Sequence, residues 1–350
     1  DKFLQFDKNL NNTSNKMFKN KTILITGGTG SFGQKFTETI LKKYSPERII
    51  IFSRDELKQF YMQEKFKKFK NLRFFIGDVR DRSRLELAME NVDYVVHAAA
   101  LKNVPLIEYN PFEAVQTNII GAQNIINASI KAGVSKIIAL STDKAAAPIN
   151  LYGATKLASD KLFVSANNLV GRKNIKFSVV RYGNVMGSRG SVIPYFLECK
   201  NSGFIPVTDK KMTRFNITLE EGADFVLDSF KRMLGGEIFV PKIPSYRVVD
   251  VAEAVAPKIK VKIIGIRPGE KIHEEMITKS DSLNTIEFKD YFAIISDSRF
   301  GSLSKAEHIK KLKSAGGKVA TKEFNYSSEK NGKFLSVEKL RNLIKKNLSS

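Results

Sequence analysis

The chain has 350 residues, one cysteine (Cys199), an apolar fraction of 42% and a formal charge of +22. One thiol excludes an internal disulfide and a cysteine-based zinc site, so no metal is expected; the apolar fraction excludes global disorder, and no apolar run approaches the length that crosses a bilayer. The charge reads as a lysine-rich surface serving an anionic cofactor and substrate rather than nucleic acid, because basic composition alone is a weak pointer.

Residues 1–16, "DKFLQFDKNLNNTSNK", lack the apolar core of a secretory signal. Met17 reads as the natural start, so residues 1–20 form an N-terminal extension and the protein is expected in the cytoplasm. "KTILITGG" is a short apolar run ending in glycine. After it, apolar residues at Phe36, Ile40, Leu41 and Tyr44 give Gln34–Tyr44 a helical face. "RIIIFS" (Arg48–Ser53), "LRFFIG" (Leu72–Gly77), "VDYVVHAAA" (Val92–Ala100), "KIIALST" (Lys136–Thr142) and "KFSVVRYGNV" (Lys176–Val185) read as further buried strands. The clearest helices between them run Phe112–Lys131 and Tyr152–Leu169. "KFKKFKN" (Lys65–Asn71) suits an amphipathic helix.

Such alternation predicts crossover units: an α/β fold with a doubly wound parallel (Rossmann) sheet. After Val185 the elements shorten among scattered Pro, Gly and Arg. The expected division is a dinucleotide-binding domain over 21–190 and, over 191–350, mainly a smaller α/β substrate-binding lobe, with some segments returning to the first domain. Residues 281–350 are weakly patterned.

"TGGTGSFG" sets Gly27, Gly30 and Gly33 at G-x-x-G-x-x-G between predicted strand and helix, with Thr29, Ser31 and Phe32 among them. Small residues admit a pyrophosphate close to the backbone, and the helix start offers free N–H groups. The second strand ends "FSRDELK". Ser53 and Arg54 stand where an NAD site has an acid; a hydroxyl and a guanidinium, with Lys58 following, suit a 2′-phosphate and favour NADP over NAD. In the alternative, Asp55 swings back to hold NAD while Arg54 is solvated. "GDVRD" places Asp78 and Val79 near the adenine, and Ala98 and Lys102 follow the fourth strand.

In "STDKAAAPINLYGATK", Tyr152 and Lys156 share a helix face. An ammonium beside a phenol lowers its pKa, so Tyr152 can take a proton from a sugar hydroxyl as hydride leaves. Oxidation alone does not require the adjacent acid and base upstream, Asp143 and Lys144.

Together with "HAAALK", "EYNP", "LSTDKAA", "RYGNV", "GSRGSV", "MTRF", "GGEIFVPKIPS" and "IIGIRPGEK", these motifs span most of Lys21 to Met276. They resemble the extended short-chain dehydrogenase/reductases, and within them the soluble, inverting UDP-N-acetylglucosamine 4,6-dehydratases that begin pseudaminic acid synthesis. Related retaining, membrane-bound enzymes usually carry Met where this chain has Tyr152.

The resemblance implies NADP-dependent dehydration of UDP-N-acetylglucosamine to UDP-2-acetamido-2,6-dideoxy-β-L-arabino-hex-4-ulose. The sugar is oxidised at C4, loses a proton from C5 and water from C6, regains hydride at C6, and is reprotonated at C5 on the opposite face. It implies Asp143 and Lys144, beside Thr142, as the elimination groups. Which of the two is the base stays open, with the resemblance favouring Lys144. A base must be neutral, and burial, Lys156 and nicotinamide are expected to lower the Lys144 pKa.

Lys102, Ser141, Thr142, Asn184, Arg189, Val192, Arg214 and Arg267 are the implied substrate contacts, and a homo-oligomer, a hexamer, is the implied assembly. The chain departs from the family's His, Asn and Trp at Asn103, Ala147 and Asn216. The competing readings are a nucleotide-sugar 4-epimerase and a catalytically silent, cofactor-binding assembly protein.

Overall fold

Strands buried on both faces of a sheet need near-continuous apolar runs, and the first half of the chain supplies them. In the computed structural model, which describes residues 17–188, 191–200, 202–296 and 303–348, β1 (Thr22–Thr26), β2 (Arg48–Ser53), β3 (Leu72–Ile76), β4 (Tyr94–His97), β5 (Lys136–Thr142) and β6 (Lys176–Tyr182) pair in parallel. The crossovers carry α1 (Ser31–Lys43), α2 (Glu56–Lys65), α3 (Arg82–Ala88), α4 (Gly121–Ala132) and α5 (Leu151–Ser165). The strand order β3-β2-β1-β4-β5-β6 reverses beside β1. That switch point opens a crevice at the carboxyl ends of β1 and β4.

Beyond β6 lie β7 (Asn184–Val185), α6 (Val192–Cys199), β8 (Phe204–Val207), β9 (Thr213–Ile217), α7 (Leu219–Arg232), β10 (Ile238–Pro241), β11 (Ser245–Arg247), α8 (Val248–Val255), β12 (Lys260–Ile263), β13 (Glu275–Ile277), β14 (Thr285–Glu287), β15 (Tyr291–Ile294), α9 (Lys305–Ser314), β16 (Lys318–Val319), β17 (Tyr326–Ser327) and α10 (Val337–Leu348). A division at 190/191 does not separate the lobes cleanly. β10 extends the large sheet in parallel beside β6, β15, β14 and β16 follow antiparallel to make ten strands, and α7 packs on α1. The second lobe keeps the sheet β11-β9-β7, the pair β8-β12 and its own core, where Tyr246, Phe196 and Val251 meet Leu340 from α10.

Four expectations change. The weakly patterned stretch from 281 supplies three strands of the large sheet, β17 of the pair β13-β17, α9 and α10. The strand expected over 176–185 breaks after Tyr182, because β7 joins β9 in the other sheet. Lys65–Asn71 is the last residue of α2 followed by a turn: Phe66 is buried and Phe69 packs on the core, while Lys65 and Lys68 lie over their rings. The helix expected over 112–131 contains a π-helical stretch, Val115–Ile120. It carries buried Asn118, which accepts from Leu101 N at 2.8 Å and donates to Leu101 O at 2.9 Å. A π-turn re-aims one side chain; here it fixes the segment preceding Lys102.

Candidate active site

A cleft of about 1090 Å³ runs from the turn after β1, across the ends of β4 and β5, to the second lobe. Gly27 has φ +64°, and a Cβ there would lie 2.9 Å from the Ala99 backbone; at Gly33 it would lie 2.5 Å from Gly28 O. The turn is therefore packed shut except at Gly30, where a Cβ would meet only Gly27 O, at 3.2 Å. Gly30 begins α1 without a side-chain cap, so the helix presents free N–H groups and a positive dipole end to the cleft. A diphosphate fits that cradle. Thr29, Ser31, Phe32 and Ala98 line it.

At the end of β2, Ser53 Oγ bonds Thr29 Oγ1 at 2.8 Å. Arg54 is half exposed, with Nη1 3.6 Å from Asp78 Oδ2. Asp55 caps α2 by accepting from Lys58 N at 2.9 Å and pairs with the Lys58 ammonium. Swinging it toward a ribose would cost the helix that cap. Burial resists ionisation of Asp78, but Arg80 and Arg54 outweigh it and hold the carboxyl below its usual range. Val79 is buried at the cleft wall.

At the end of β5, Asn150 caps α5 by accepting from Gly153 N at 2.8 Å. A Cβ at Gly153 would sit 2.1 Å from Lys144 O, so glycine alone lets this helix press against the Asp143–Ala145 turn. Tyr152 thereby faces Thr142, with which its hydroxyl shares a hydrogen bond. Burial pushes the Tyr152 phenol up to about 12, and the cation that pulls it back most is Lys144. The expected partner, Lys156, is buried and donates to Leu140 O at 2.7 Å. Burial lowers its pKa, partly offset by Asp160.

Lys144 also departs from expectation. Its Nζ lies 3.2 Å from Asp143 Oδ1 and 3.0 Å from Glu274 Oε1, with Asn184 Oδ1 at 3.5 Å. Burial favours the neutral amine, but the two carboxylates outweigh it and hold Lys144 above the ordinary lysine range. Asp143 is fully buried behind it rather than on the cleft wall, and burial raises its pKa. The acid that reaches the wall beside Lys144 is Glu274.

On the substrate side, Lys102, Asn184, Val192 and Arg267 line the cleft, and burial lowers the Lys102 pKa. Arg189 lies outside the described residues. Ser141 lines the cleft, but its hydroxyl is bonded to Asp160 at 2.7 Å instead of standing free for a sugar. Arg214 is buried and donates to Thr213 O, Ile272 O and Lys271 O at 2.7, 3.0 and 2.9 Å. Arg214 also lines the cleft, and those three bonds make it clamp the chain leading to Glu274.

Among the three departures, Asn103 caps the short helix that follows it. Asn216 is buried in β9, its Oδ1 without a partner. Ala147 is exposed at φ +45°. An L-residue costs about 1–2 kcal/mol in the left-handed region, and no buried Cβ is lost on removing it. Ala147→Gly should raise unfolding stability by about 0.5–1 kcal/mol, read as a higher denaturant midpoint.

Sequence reasoning missed Glu274, Asp160, Arg181 and Asn118. The pair Glu274–Glu275 looks like a solvated acidic step. Only the fold separates them: Glu275 accepts from Asn325, whereas Glu274 is 2% exposed. Among the described residues, no cluster of three or more His, Cys, Asp or Glu could hold a metal, and no helix is long and apolar enough to cross a membrane.

Residues 23–296 match the family described as polysaccharide biosynthesis protein. The UDP-N-acetylglucosamine 4,6-dehydratase (inverting) of Campylobacter jejuni subsp. jejuni serotype O:23/36 (strain 81-176) is 55% identical over 330 residues, covering 94% of this chain and 98% of that protein. A UDP-glucose 4-epimerase of Rickettsia akari (strain Hartford) is 40% identical over 94% of this chain and 96% of its own length. The X-ray structure of Pen from Bacillus thuringiensis superposes with a TM-score of 0.84 at 42% identity, covering 94% of this chain and 98% of that one. Sequence and fold agree over almost the whole length, and the chain belongs to the polysaccharide biosynthesis protein family.

Proposed function

We infer that this protein is an inverting UDP-N-acetylglucosamine 4,6-dehydratase using NADP. The observation that carries the reading is the Asp143–Lys144–Glu274 cluster beside Tyr152, two buried carboxylates on an amine that reaches the cleft. Exchange of a C4 hydrogen has no use for it, while elimination across C5 and C6 needs such acid–base groups. The high identity to a named inverting dehydratase supports the same conclusion.

The Gly27–Gly33 cradle would hold the pyrophosphate, Asp78 and Val79 the adenine side, and Ser53, Arg54 and Lys58 the 2′-phosphate. Bound there, NADP would supply hydride transfer, out of C4 and back into C6. Tyr152 takes the C4 hydroxyl proton, its phenolate supported by Lys144 and by Thr142.

The ketone then acidifies C5–H. Lys144 can accept that proton only after losing its own, and Asp143, already raised by burial, is the adjacent group best able to receive it. The cluster protonates the departing C6 hydroxyl, and C5 takes its new proton from solvent on the opposite face. Arg267 faces the uridine diphosphate. Exposed Leu106, Tyr109 and Phe112 are the surface we assign to a homo-oligomer of a cytoplasmic enzyme supplying a pseudaminic acid type pathway.

Proton NMR of the protein with UDP-N-acetylglucosamine and NADP in heavy water tests the function. A 4-keto-6-deoxy sugar with inverted, deuterated C5 is expected; the C4 epimer would establish an epimerase, and no turnover a silent protein. For the cofactor, Arg54→Ala should weaken NADP binding about tenfold, the loss of one charge-assisted hydrogen bond, and leave NAD binding within about twofold, read by fluorescence titration.

A further inference from the structure

We propose that Glu274 is a positioning residue of the elimination step, delivered from the second lobe to hold the Lys144 amine at the cleft wall. This rests on the dehydratase reading for its kinetics, though not for its geometry. Glu274 Oε1 lies 3.0 Å from Lys144 Nζ and 3.9 Å from Arg214 Nε, while Oε2 is buried without a partner. A buried carboxylate with half its acceptor capacity unused is costly unless a nearby cation offsets it. Lys144 is that cation.

The backbone around Glu274 is fixed from three sides. Its N–H donates to Ser328 Oγ at 2.9 Å and its carbonyl accepts from Ser328 N at 2.8 Å. Arg181, on β6 of the large sheet, donates to Met276 O at 3.0 Å. Arg214 grips the carbonyls of Lys271 and Ile272. Just upstream, Lys271 Nζ donates to Ala146 O at 2.7 Å and Gly269 O accepts from Asn150 Nδ2 at 2.8 Å. Residues 269–274 thus clasp the whole loop carrying Lys144, and the clasp ends in a carboxylate on the amine itself.

The consequence is directional. With Asp143 on one side and Glu274 on the other, the amine cannot collapse onto the fully buried acid and withdraw from the cleft. The charged and polar groups that face Lys144 are Asp143 in its own turn, Tyr152 on α5, Asn184 on β7, Arg214 on β9, Tyr246 on β11, and Glu274 and Lys271 from the clasp. Removing Glu274 leaves one acid and two cations around the amine, which shifts it toward the neutral form and toward Asp143.

Glu274→Gln and Glu274→Asp test this. Glu274→Gln should lower kcat about 10²-fold, the scale of a small misplacement of a reacting group, with KM for the sugar nucleotide within about threefold. Reduced cofactor should accumulate in single turnovers, because oxidation proceeds and elimination stalls. The pH limb of kcat should move down by about one unit, as when one opposite charge leaves a contact. Acylation of Lys144 by an amine-reactive reagent at neutral pH, followed by peptide mass spectrometry, should speed up. Glu274→Asp keeps the charge and loses reach, so its pH limb should stay while kcat falls.

Unchanged Lys144 acylation and an unmoved pH limb in Glu274→Gln, or wild-type kcat in Glu274→Asp, would overturn the proposal. Should Glu274→Gln not fold, the Glu274→Asp result decides alone. If the wild-type protein does not dehydrate the sugar, the dehydratase reading fails, while Lys144 acylation still tests the clasp.

Discussion

Lys144→Ala is expected to slow water loss from UDP-N-acetylglucosamine by about 10³-fold, within the range that a positioned acid–base group supplies, while NADP affinity stays within about twofold. The amine is the member of the cluster that reaches the cleft, since Asp143 is fully buried and off the wall. Deleting it leaves Asp143 and Glu274 as two buried carboxylates with Arg214 and the more distant Lys271 as the nearby cations. One of them should then hold a proton at neutral pH, as like charges sharing a site require. Lys144→Met separates loss of the amine from loss of packing, because it keeps an unbranched stem of similar length. Tyr152 should also titrate higher in both variants, since Lys144 is the cation that most lowers it. Oxidation at C4 should therefore slow as well, by less than elimination. The check is quenched-flow analysis of ketone and deuterated product. Wild-type elimination in Lys144→Ala would leave the acid–base assignment without its central member.

What the sequence made legible follows from range. β2 and β5 run over the residues anticipated, and the glycine turn sits where strand meets helix, because each is specified by neighbours in the chain. Tyr152 and Lys156 were found by helical spacing. Their electrostatics were not: Lys156 is committed to Leu140 O, and the main cation acting on the phenol is Lys144. Arg214 shows the same limit from the other side, since nothing in its motif announces that the guanidinium also grips carbonyls of the 271–272 segment. Glu274 stands 130 residues from Lys144, and nothing local marks it as buried. Pairings across the lobes are set by packing, which no periodicity encodes.

The same cross-lobe packing sets the largest expected stability effect, that of Arg181→Leu. Arg181 is 1% exposed; its Nη2 lies 3.1 Å from Asp160 Oδ2 and its Nη1 donates to Met276 O. Removing it strands Asp160 in the interior with Ser141 Oγ as its hydrogen-bond donor. Breaking a buried pair from one side costs about 3–5 kcal/mol, so the denaturant midpoint should fall sharply. The pair is itself imperfect, because Arg181 Nε and Asp160 Oδ1 have no partners. Replacing both charges, Arg181→Leu with Asp160→Leu, should therefore recover much of the loss, as substitution of buried pairs by apolar residues often does. The double variant should not recover activity equally. Met276 O would still lack its anchor, loosening the strand that follows Glu274, and Lys156 would lose the acid that partly offsets its burial. A double variant regaining wild-type stability while staying slow in elimination would separate the structural task of Arg181 from its task in holding the two lobes together at Lys144.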